Sequence, residues 1–491
     1  MKNMNRVLSL LVLVFVMTAA FAGSANAASQ PTQLEPYEVV WYYDGNGAQA
    51  DVEAVQNEMN KITVPAINAT VKLIAVDWGN FDQKMQMAIV AGEKFDLCFT
   101  ASWANNWLAN ISKGAYVELT DELLNQYAPT ILAEMPEPAW EALKVDGRLY
   151  TLYNPQLYSI GIDLAVRKDL AEKYGFDPKT VTRLDDLNPF FEKILAGETG
   201  VYGYTNATQL GNLSSVLGYE EVTGRDLPGV VVTGDDTLTV VNQYELPAVA
   251  DTYKTFRDWY LKGYTRKDAA TYGGDDLKDG KSASRVGGGY KPGGDVEQKG
   301  FFGGRDVIDV PFGPALISSG SFSGTMTAVS ITSKDVGRAL MYLDLVWKDK
   351  DLFNLIVHGI EGKHHTKDAD GFVTMIPGAG YDYSAMGWMF GPAFNENILA
   401  GQSKTLWEET RALNEQGVKS ALFGFNFDPT PVKNEIAKIE SIRQEYGNLL
   451  MTGAVDPETV LPDFIARMKD AGSEKVIAEA QAQIDAWKAS K

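Results

Sequence analysis

The chain has 491 residues, of which 45% are hydrophobic and 22% charged, with 44 Lys and Arg against 64 Asp and Glu and a formal net charge of -20. That mixture suits packed globular cores and excludes a disordered or fibrous chain, while the length exceeds what one core fills, so two or three domains are expected. So negative a field repels nucleic acid and anionic membrane, which removes the polyanion-binding functions.

Residues 1–27 have the pattern of an export signal. Lys2 and Arg6 make a basic start, residues 7–22 form an apolar run shorter than the roughly 20 residues that span a bilayer, and Ala25-Asn26-Ala27 supplies small residues for cleavage. The mature chain is expected to begin near Ala28 and to be exported, extracellular or periplasmic, unless the signal is kept as a tether. Its one cysteine, Cys98, lies far from the cleavage point, so no lipid-anchor cysteine is expected, and a single thiol allows no intramolecular disulfide. Within the apolar run 95–99 that thiol is expected to be buried and inert.

Strands then alternate with helices. Residues 37–43 are rich in aromatic and β-branched side chains and predict a buried strand, ended by the turn residues Asp44-Gly45-Asn46-Gly47. A helix over 51–61, a strand over 70–76, a helix over 81–91 closed by Gly92 and a strand over 95–99 follow. This βαβαβ order predicts a largely parallel sheet covered by helices. Ligands of such sheets sit beyond the carboxyl ends of the strands, which here are followed by Tyr43-Asp44-Gly45-Asn46, Asp77-Trp78-Gly79-Asn80 and Thr100-Ala101-Ser102-Trp103.

Further on, Tyr150, Tyr153 and Tyr158 precede a helical run over 166–174 ended by Gly175. Helices over 185–195 and 248–260 come next. Residues 272–304 are glycine-rich and are expected to be irregular. A strand over 324–332 leads into a helix over 334–347 that Ser333 can cap, and Asp368-Ala369-Asp370-Gly371 is a hairpin signal. The last hundred residues are expected to be helical, with Thr430 as N-cap, Pro431 at the first helical position and Gly453 as the stop.

Several chemistries fail on spacing. Gly280-Lys281-Ser282 ends like a phosphate-binding loop, but Asp275 stands where its first glycine belongs. Gly320-Ser321-Phe322-Ser323-Gly324 has Phe322 where a serine nucleophile would sit. His358, His364 and His365 with Glu361 match no zinc pattern, so no metal is expected. The aspartate-rich turns lack the closing Glu of a calcium loop. No pair of carboxylates stands out as catalytic, and no cofactor is expected.

Sugars in water are held by flat aromatic faces and by amides or carboxylates that meet the hydroxyls. Trp41, Trp140, Trp259, Trp347 and Trp407 fall on strand or helix and are expected to pack in cores. Trp78, Trp103 and Trp388 fall in loops beside Gly or Asn and are candidate ligand-binding residues, with Tyr153 and Tyr158 near an expected domain crossing and Asp44 as a hydroxyl acceptor.

The segments VDGRLYTLYNPQLYSIGIDLAVRKDLAEKYGFDPKT from Val145, KFDLCFTASWANNWLANISKGAYVELTDELLNQYAP from Lys94 and TMTAVSITSKDVGRALMYLDLVWKDKDLFNLIVHGIEGKH from Thr325 resemble the family 1 extracellular solute-binding proteins of ABC importers. The tail from Gly424, beginning GFNFDPTPVKNEIAKIESIRQEYGNLL, resembles the C-terminal region of a subgroup whose role is undefined. The resemblance implies a two-lobed α/β periplasmic-binding-protein-like fold, with an N-terminal lobe of residues 28–154 and 324–386, a C-terminal lobe of residues 155–323 and 387–491, a hinge and an interlobe ligand cleft. It implies a monomer without enzymatic activity that captures a small polar solute, most simply an oligosaccharide, and delivers it to a membrane permease. An exported carbohydrate-active enzyme and a module presenting ligand to a membrane sensor are the rival readings. Peptide, polyamine and metal-chelate ligands stay open.

Overall fold

The computed structural model describes residues 34–205, 209–384 and 386–490; the expected export signal lies outside the described residues. The first sheet begins with strand β1 (Tyr37–Gly45), whose Val39, Trp41 and Tyr43 are fully buried. Helix α1 (Val52–Ile67) follows, then β2 (Ala69–Asp77), helix α2 (Phe81–Ala91) and β3 (Leu97–Thr100). β1 pairs in parallel with β2 from Tyr37 opposite Ala69 to Gly45 opposite Asp77, and with β3 at Trp41–Leu97 and Tyr42–Cys98. α1 outruns the expected 51–61 because Val55, Met59, Thr63 and Ile67 repeat every four residues and keep one face buried past Pro65. Cys98 is buried, and burial pushes its thiol up to about 12.

Two later strands complete the sheet. β4 (Thr151–Tyr153) and β9 (Met326–Val329) extend it to the order β2-β1-β3-β9-β4, with β9 antiparallel to both neighbours. The parallel half is thus the half encoded continuously, and the return strand reverses direction.

The second sheet has the order β10-β8-β5-β7-β6, from β5 (Ile160–Arg167), β6 (Tyr202–Tyr204), β7 (Ser282–Gly289), β8 (Val307–Ile317) and β10 (Val418–Lys419). It corrects two expectations. Val166 belongs to β5, not to a helix, because β5 lies between β7 and β8 with residues 161–167 all buried; the helix starts only at Lys168. The glycine-rich stretch 272–304 is likewise ordered. It supplies β7, with a register shift between Val286 and Gly289 that accommodates the glycines, and helix α3 (Gly294–Phe301).

Helix α4 (Val336–Lys348) is capped by Asp335, whose carboxylate accepts from the Arg338 amide, while Ser333 donates instead to Asp96. The hairpin forms as expected, pairing His365–Lys367 with Val373–Met375. At the C-terminus, Thr430 and Pro431 lie in a short 3-10 turn (Thr430–Val432) rather than capping a helix, because the α-helical ladder begins one residue later. Helices α5 (Lys433–Met451), α6 (Pro457–Ala471) and α7 (Ser473–Ala489) follow.

Among the described residues two large hydrophobic cores form, beside a small cluster of Ala165, Leu277, Phe302 and Val307. One joins Val39 through Tyr153 to Phe322 through Phe390; the other joins Ile162 through Phe312 to Leu422, Phe425 and the tail helices as far as Ile484. Met389 and Phe390 pack in the first core, past the lobe boundary expected at residue 386. Phe423 inserts into that first core between two neighbours, Leu422 and Phe425, that pack in the second.

Candidate functional site

Because β1, β2 and β3 run parallel, their carboxyl ends reach one edge of the sheet, and the loops leaving that edge carry Trp78 and Trp103. The Trp78 amide donates to the Gly45 carbonyl at 3.0 Å and its indole N–H donates to Asn46 Oδ1 at 3.1 Å, which ties the loop after β2 to the end of β1. The Ser102 amide donates to the Ser323 carbonyl at 2.7 Å, and the Trp103 indole donates to the Gly324 carbonyl at 2.7 Å. Both rings are therefore oriented by their polar edge and stay exposed, at 41% and 51%.

Trp388 reaches the same place from 285 residues beyond Trp103 and 310 beyond Trp78. Thr325 Oγ1 donates to the Trp388 carbonyl at 2.7 Å, and Asn154 Nδ2 donates to the neighbouring Met389 carbonyl at 2.7 Å, so the ends of β4 and β9 fix this loop. The Trp78 ring stacks against Trp103 at a centroid distance of 6.1 Å and against Trp388 at 6.4 Å, with interplanar angles of 29° and 27°. Trp103 and Trp388 stand 6.2 Å apart. Fully buried Phe99, at the end of β3, supports both from beneath at 5.7 and 5.8 Å. Sequence reasoning missed Phe99, Asn46 and Asn154; only their positions at strand ends could have signalled them.

The other three candidates sit apart from this cluster. Tyr153 is fully buried and packs edge-to-face on Phe322 at 5.1 Å. Tyr158, half-buried, stacks on the same Phe322 at 5.0 Å, so one core ring carries both tyrosines at the crossing between lobes. Asp44 is 2% exposed and accepts from the Gly45 amide at 2.9 Å, because the pleat of β1 turns it inward. Burial, with Asp82 nearby and only the Gly45 N–H in compensation, pushes its carboxyl up to about 7. It is not the open hydroxyl acceptor that its place at a strand end suggests.

Behind Trp388 lies a cavity of about 50 Å³ lined from both sides of the molecule. Lys291, Pro292 and Glu297 come from the start of α3, Gln156 and Leu157 from the crossing after β4, and Glu396, Asn397, Leu399 and Trp407 from the return segment. Trp407, expected to be a core residue, donates its indole N–H to the Glu396 carbonyl at 2.8 Å. The Glu396 carboxylate fits against Gly387, where any Cβ would collide with its Oε2.

The motifs set aside on spacing are structural. Gly320–Ser323 lies in a short helix (Ser319–Ser323) capped by Gly324, with Phe322 buried alongside Ser319, Ser321 and Ser323. His358 is fully buried, and burial holds its imidazole down at about 4, while His364 pairs with Asp51 at 3.1 Å and the His365 ring meets the His358 carbonyl at 3.0 Å. Among the described residues no group of three or more His, Cys, Asp or Glu is placed to hold a metal.

Residues 421–489 match the model of a domain of unknown function, DUF3502. Over 501 aligned residues, covering 99% of both chains, the sequence is 25% identical to a carbohydrate ABC transporter substrate-binding protein of Streptococcus pneumoniae serotype 4, strain ATCC BAA-334 / TIGR4. The crystal structure of the N-glycan transport solute binding protein NgtS from Streptococcus pneumoniae superimposes with a TM-score of 0.81 at 24% identity, covering 92% of this chain and 98% of that one. The same protein in complex with Man1GlcNAc gives 0.73 at 25% identity, over 91% and 99% of the two chains. The chain is thus similar along nearly its whole length to substrate-binding proteins of carbohydrate ABC transporters, shares their two-lobed α/β fold, and carries the DUF3502 domain at its C-terminus.

Proposed function

We propose that this protein captures a small neutral oligosaccharide outside the cytoplasm and delivers it, unchanged, to the permease of an ABC importer. The observation that carries the reading is the group of three tryptophans at the carboxyl edge of the first sheet: Trp78 and Trp103, held by their indole N–H groups and largely exposed, and Trp388, held through its backbone carbonyl and partly exposed beside them. Indole rings cover the apolar C–H faces of pyranose rings without demanding a charge from the ligand. The likeness to a carbohydrate transporter's binding protein over 99% of both chains supports the same conclusion.

Capture needs no covalent step. The second lobe approaches the tryptophans when the hinge closes, and ligand binding is converted into a population of closed molecules that a permease can distinguish from open ones. The protein acts as a monomer, exported by the signal over residues 1–27. Six residues are proposed for the site: the three tryptophans in direct contact with the ligand, and, apart from that cluster, Asp44 at the end of β1 and Tyr153 and Tyr158 on Phe322 at the crossing between lobes.

The test is a thermal-shift screen of the mature protein against neutral oligosaccharides, peptides and polyamines, followed by chromatography of the ligand after incubation. A ligand bound only by the folded state raises the melting temperature. Stabilisation by oligosaccharides recovered intact is the expected result. Stabilisation by peptides or polyamines alone would overturn the sugar assignment, and shortened sugars would overturn the assignment as a binder without catalysis.

A further inference from the structure

Strand direction decides which segments of the second lobe lie at its edge towards the first. β5 leaves the interlobe crossing, and β7 and β8 pair antiparallel to it, with Gly289 opposite Ile162 and Leu316 opposite Ile160, so their carboxyl ends lie at that edge. Lys291 and Pro292, just past β7, accordingly line the same cavity as Trp388. The short helices Leu210–Leu213 and Ser214–Leu217 reach this edge too, because Val216 fits against Gly313 of β8, which has φ 91° and no room for a Cβ. Gln209 is exposed, and Asn212 and Ser214 partly so. The segment thus carries amides and a hydroxyl, the groups that meet sugar hydroxyls.

One buried carboxylate ties this segment to the C-terminal domain. The Gly211 amide donates to Asp226 Oδ1 at 2.6 Å, and the other carboxylate oxygen of Asp226 lies 3.5 Å from Arg443 Nη1 of α5. Asp226 is 4% exposed and has φ 59°, a left-handed conformation that few residues other than glycine adopt. Its own amide donates to Glu221 Oε1 at 2.7 Å and its carbonyl accepts from the Tyr244 hydroxyl at 2.7 Å, which fixes it there. Glu440, one turn before Arg443, accepts two bonds from the guanidinium at 2.7 and 2.5 Å and sets its direction. Past the segment, Ser420, next to the domain's first residue, donates to Glu220. We propose, resting on the solute-binding reading, that residues 209–217 form the second lobe's wall of the ligand cleft and that the C-terminal domain holds them there, with Arg443 as a positioning residue acting through Asp226 on Gly211. Helices of one turn do not hold themselves. Anchored in advance, the segment spares a ligand the cost of ordering it, and the domain acts on binding without touching the ligand.

The experiment is hydrogen exchange read by mass spectrometry on the mature full chain without ligand. Arg443→Ala is expected to speed exchange in the peptide covering 209–217 by about tenfold or more, the factor that follows from removing the charged partner of a buried hydrogen-bonded group. Arg443→Gln, which keeps the stem, replaces it should the alanine variant not fold, and Arg443→Lys should restore much of the protection. Arg257→Ala removes bonds to the Gly453 and Ala454 carbonyls at 3.0 and 3.2 Å and so loosens the domain elsewhere; it should leave that peptide unchanged. The same variants are titrated calorimetrically with maltotriose, cellotriose and mannotriose. For a sugar that the wild type binds, Arg443→Ala should bind about fivefold more weakly and Arg257→Ala equally well. Unchanged exchange at 209–217 in folded Arg443→Ala, or equal acceleration by Arg257→Ala, overturns the anchor. Accelerated exchange with unaltered affinity overturns the segment's place in the cleft and leaves sugar binding standing. A wild type that binds no saccharide counts against the sugar-binding reading, and the exchange result then decides for or against the anchor.

Discussion

Replacing Trp103 by alanine tests the sugar-binding face most directly, because Trp103 has the most open ring of the three and supports little else. A tryptophan buries about 150–250 Å² when covered, and with 51% of its surface exposed roughly 100 Å² of this one remains for a ligand. Covering about 60–100 Å² at about 25 cal/mol/Å² contributes about 1.5–2.5 kcal/mol. Trp103→Ala is thus expected to weaken oligosaccharide binding by about 10- to 60-fold. The loss should be independent of salt between 50 and 500 mM NaCl, since no ion pair is removed. Stability should suffer little, because the half-exposed ring gives up its contacts with Trp78, Trp388 and Phe99 and its indole bond to Gly324. Calorimetric titration of wild type and variant at both salt concentrations measures this. A change of less than twofold in Trp103→Ala and again in Trp388→Ala, with folded protein in each case, would refute the placement of the ligand on these rings.

Three further outcomes concern the framework. Both carboxylate oxygens of Asp309 are buried without a hydrogen-bond partner, and burial, with Asp163 and Asp295 nearby, pushes its carboxyl up to about 8; the folded state thus binds a proton that the unfolded chain releases near pH 4, and its stabilisation fades as pH rises towards 8. The melting temperature should therefore rise between pH 8.5 and 6.5, and Asp309→Asn should flatten that slope; an unaltered slope in the variant would remove the explanation. Phe322 is fully buried between Tyr153, Tyr158 and Phe423, so Phe322→Ala should cost about 3–5 kcal/mol in urea unfolding. Arg443 of α5 pairs at 3.5 Å with buried Asp226, and Arg443→Ala should cost about 2 kcal/mol by the same measurement, less than a fully ionised buried partner would impose, because burial already holds the Asp226 carboxyl above its usual range.

The βαβαβ half of the first lobe is legible from sequence because its elements are contiguous and each carries its own signal: an aromatic and β-branched run ended by a turn cluster in β1, four-residue spacing along α1, Gly92 in left-handed geometry after α2. β5 and β7 are not legible in the same way. β5 is buried on both faces, so its apolar run has no alternation to separate it from a helix, and β7 gains its strand geometry from pairing with β5 and β6 rather than from its serines and glycines. The three tryptophans could be singled out by their loop settings, but nothing local says that Trp388 meets Trp78 across 310 residues of chain. Conversely, Asp44 looked accessible because residue type and a turn signal were visible while the direction of its side chain was not. Glu396 and Asn397 carried no signal at all, since a cavity assembled from three separate segments has no linear motif.

The C-terminal domain bears on how such a molecule can open and close. Its helices pack in the second core, so it would be expected to ride with the second lobe. Its first residues nevertheless cross to the first lobe: Phe423 enters the first core against Phe322 at 5.9 Å, the Gly424 amide donates to Ser319 Oγ at 2.8 Å, and Lys419 reaches Glu141 at 3.4 Å. Phe322 also carries Tyr153 and Tyr158, the two tyrosines at the crossing between β4 and β5. The strap at 419–424 therefore converges with two other interlobe connections on one aromatic ring. A hinge motion centred on that ring would leave Phe423 in place, whereas one centred far from it would have to draw Phe423 out of the first core.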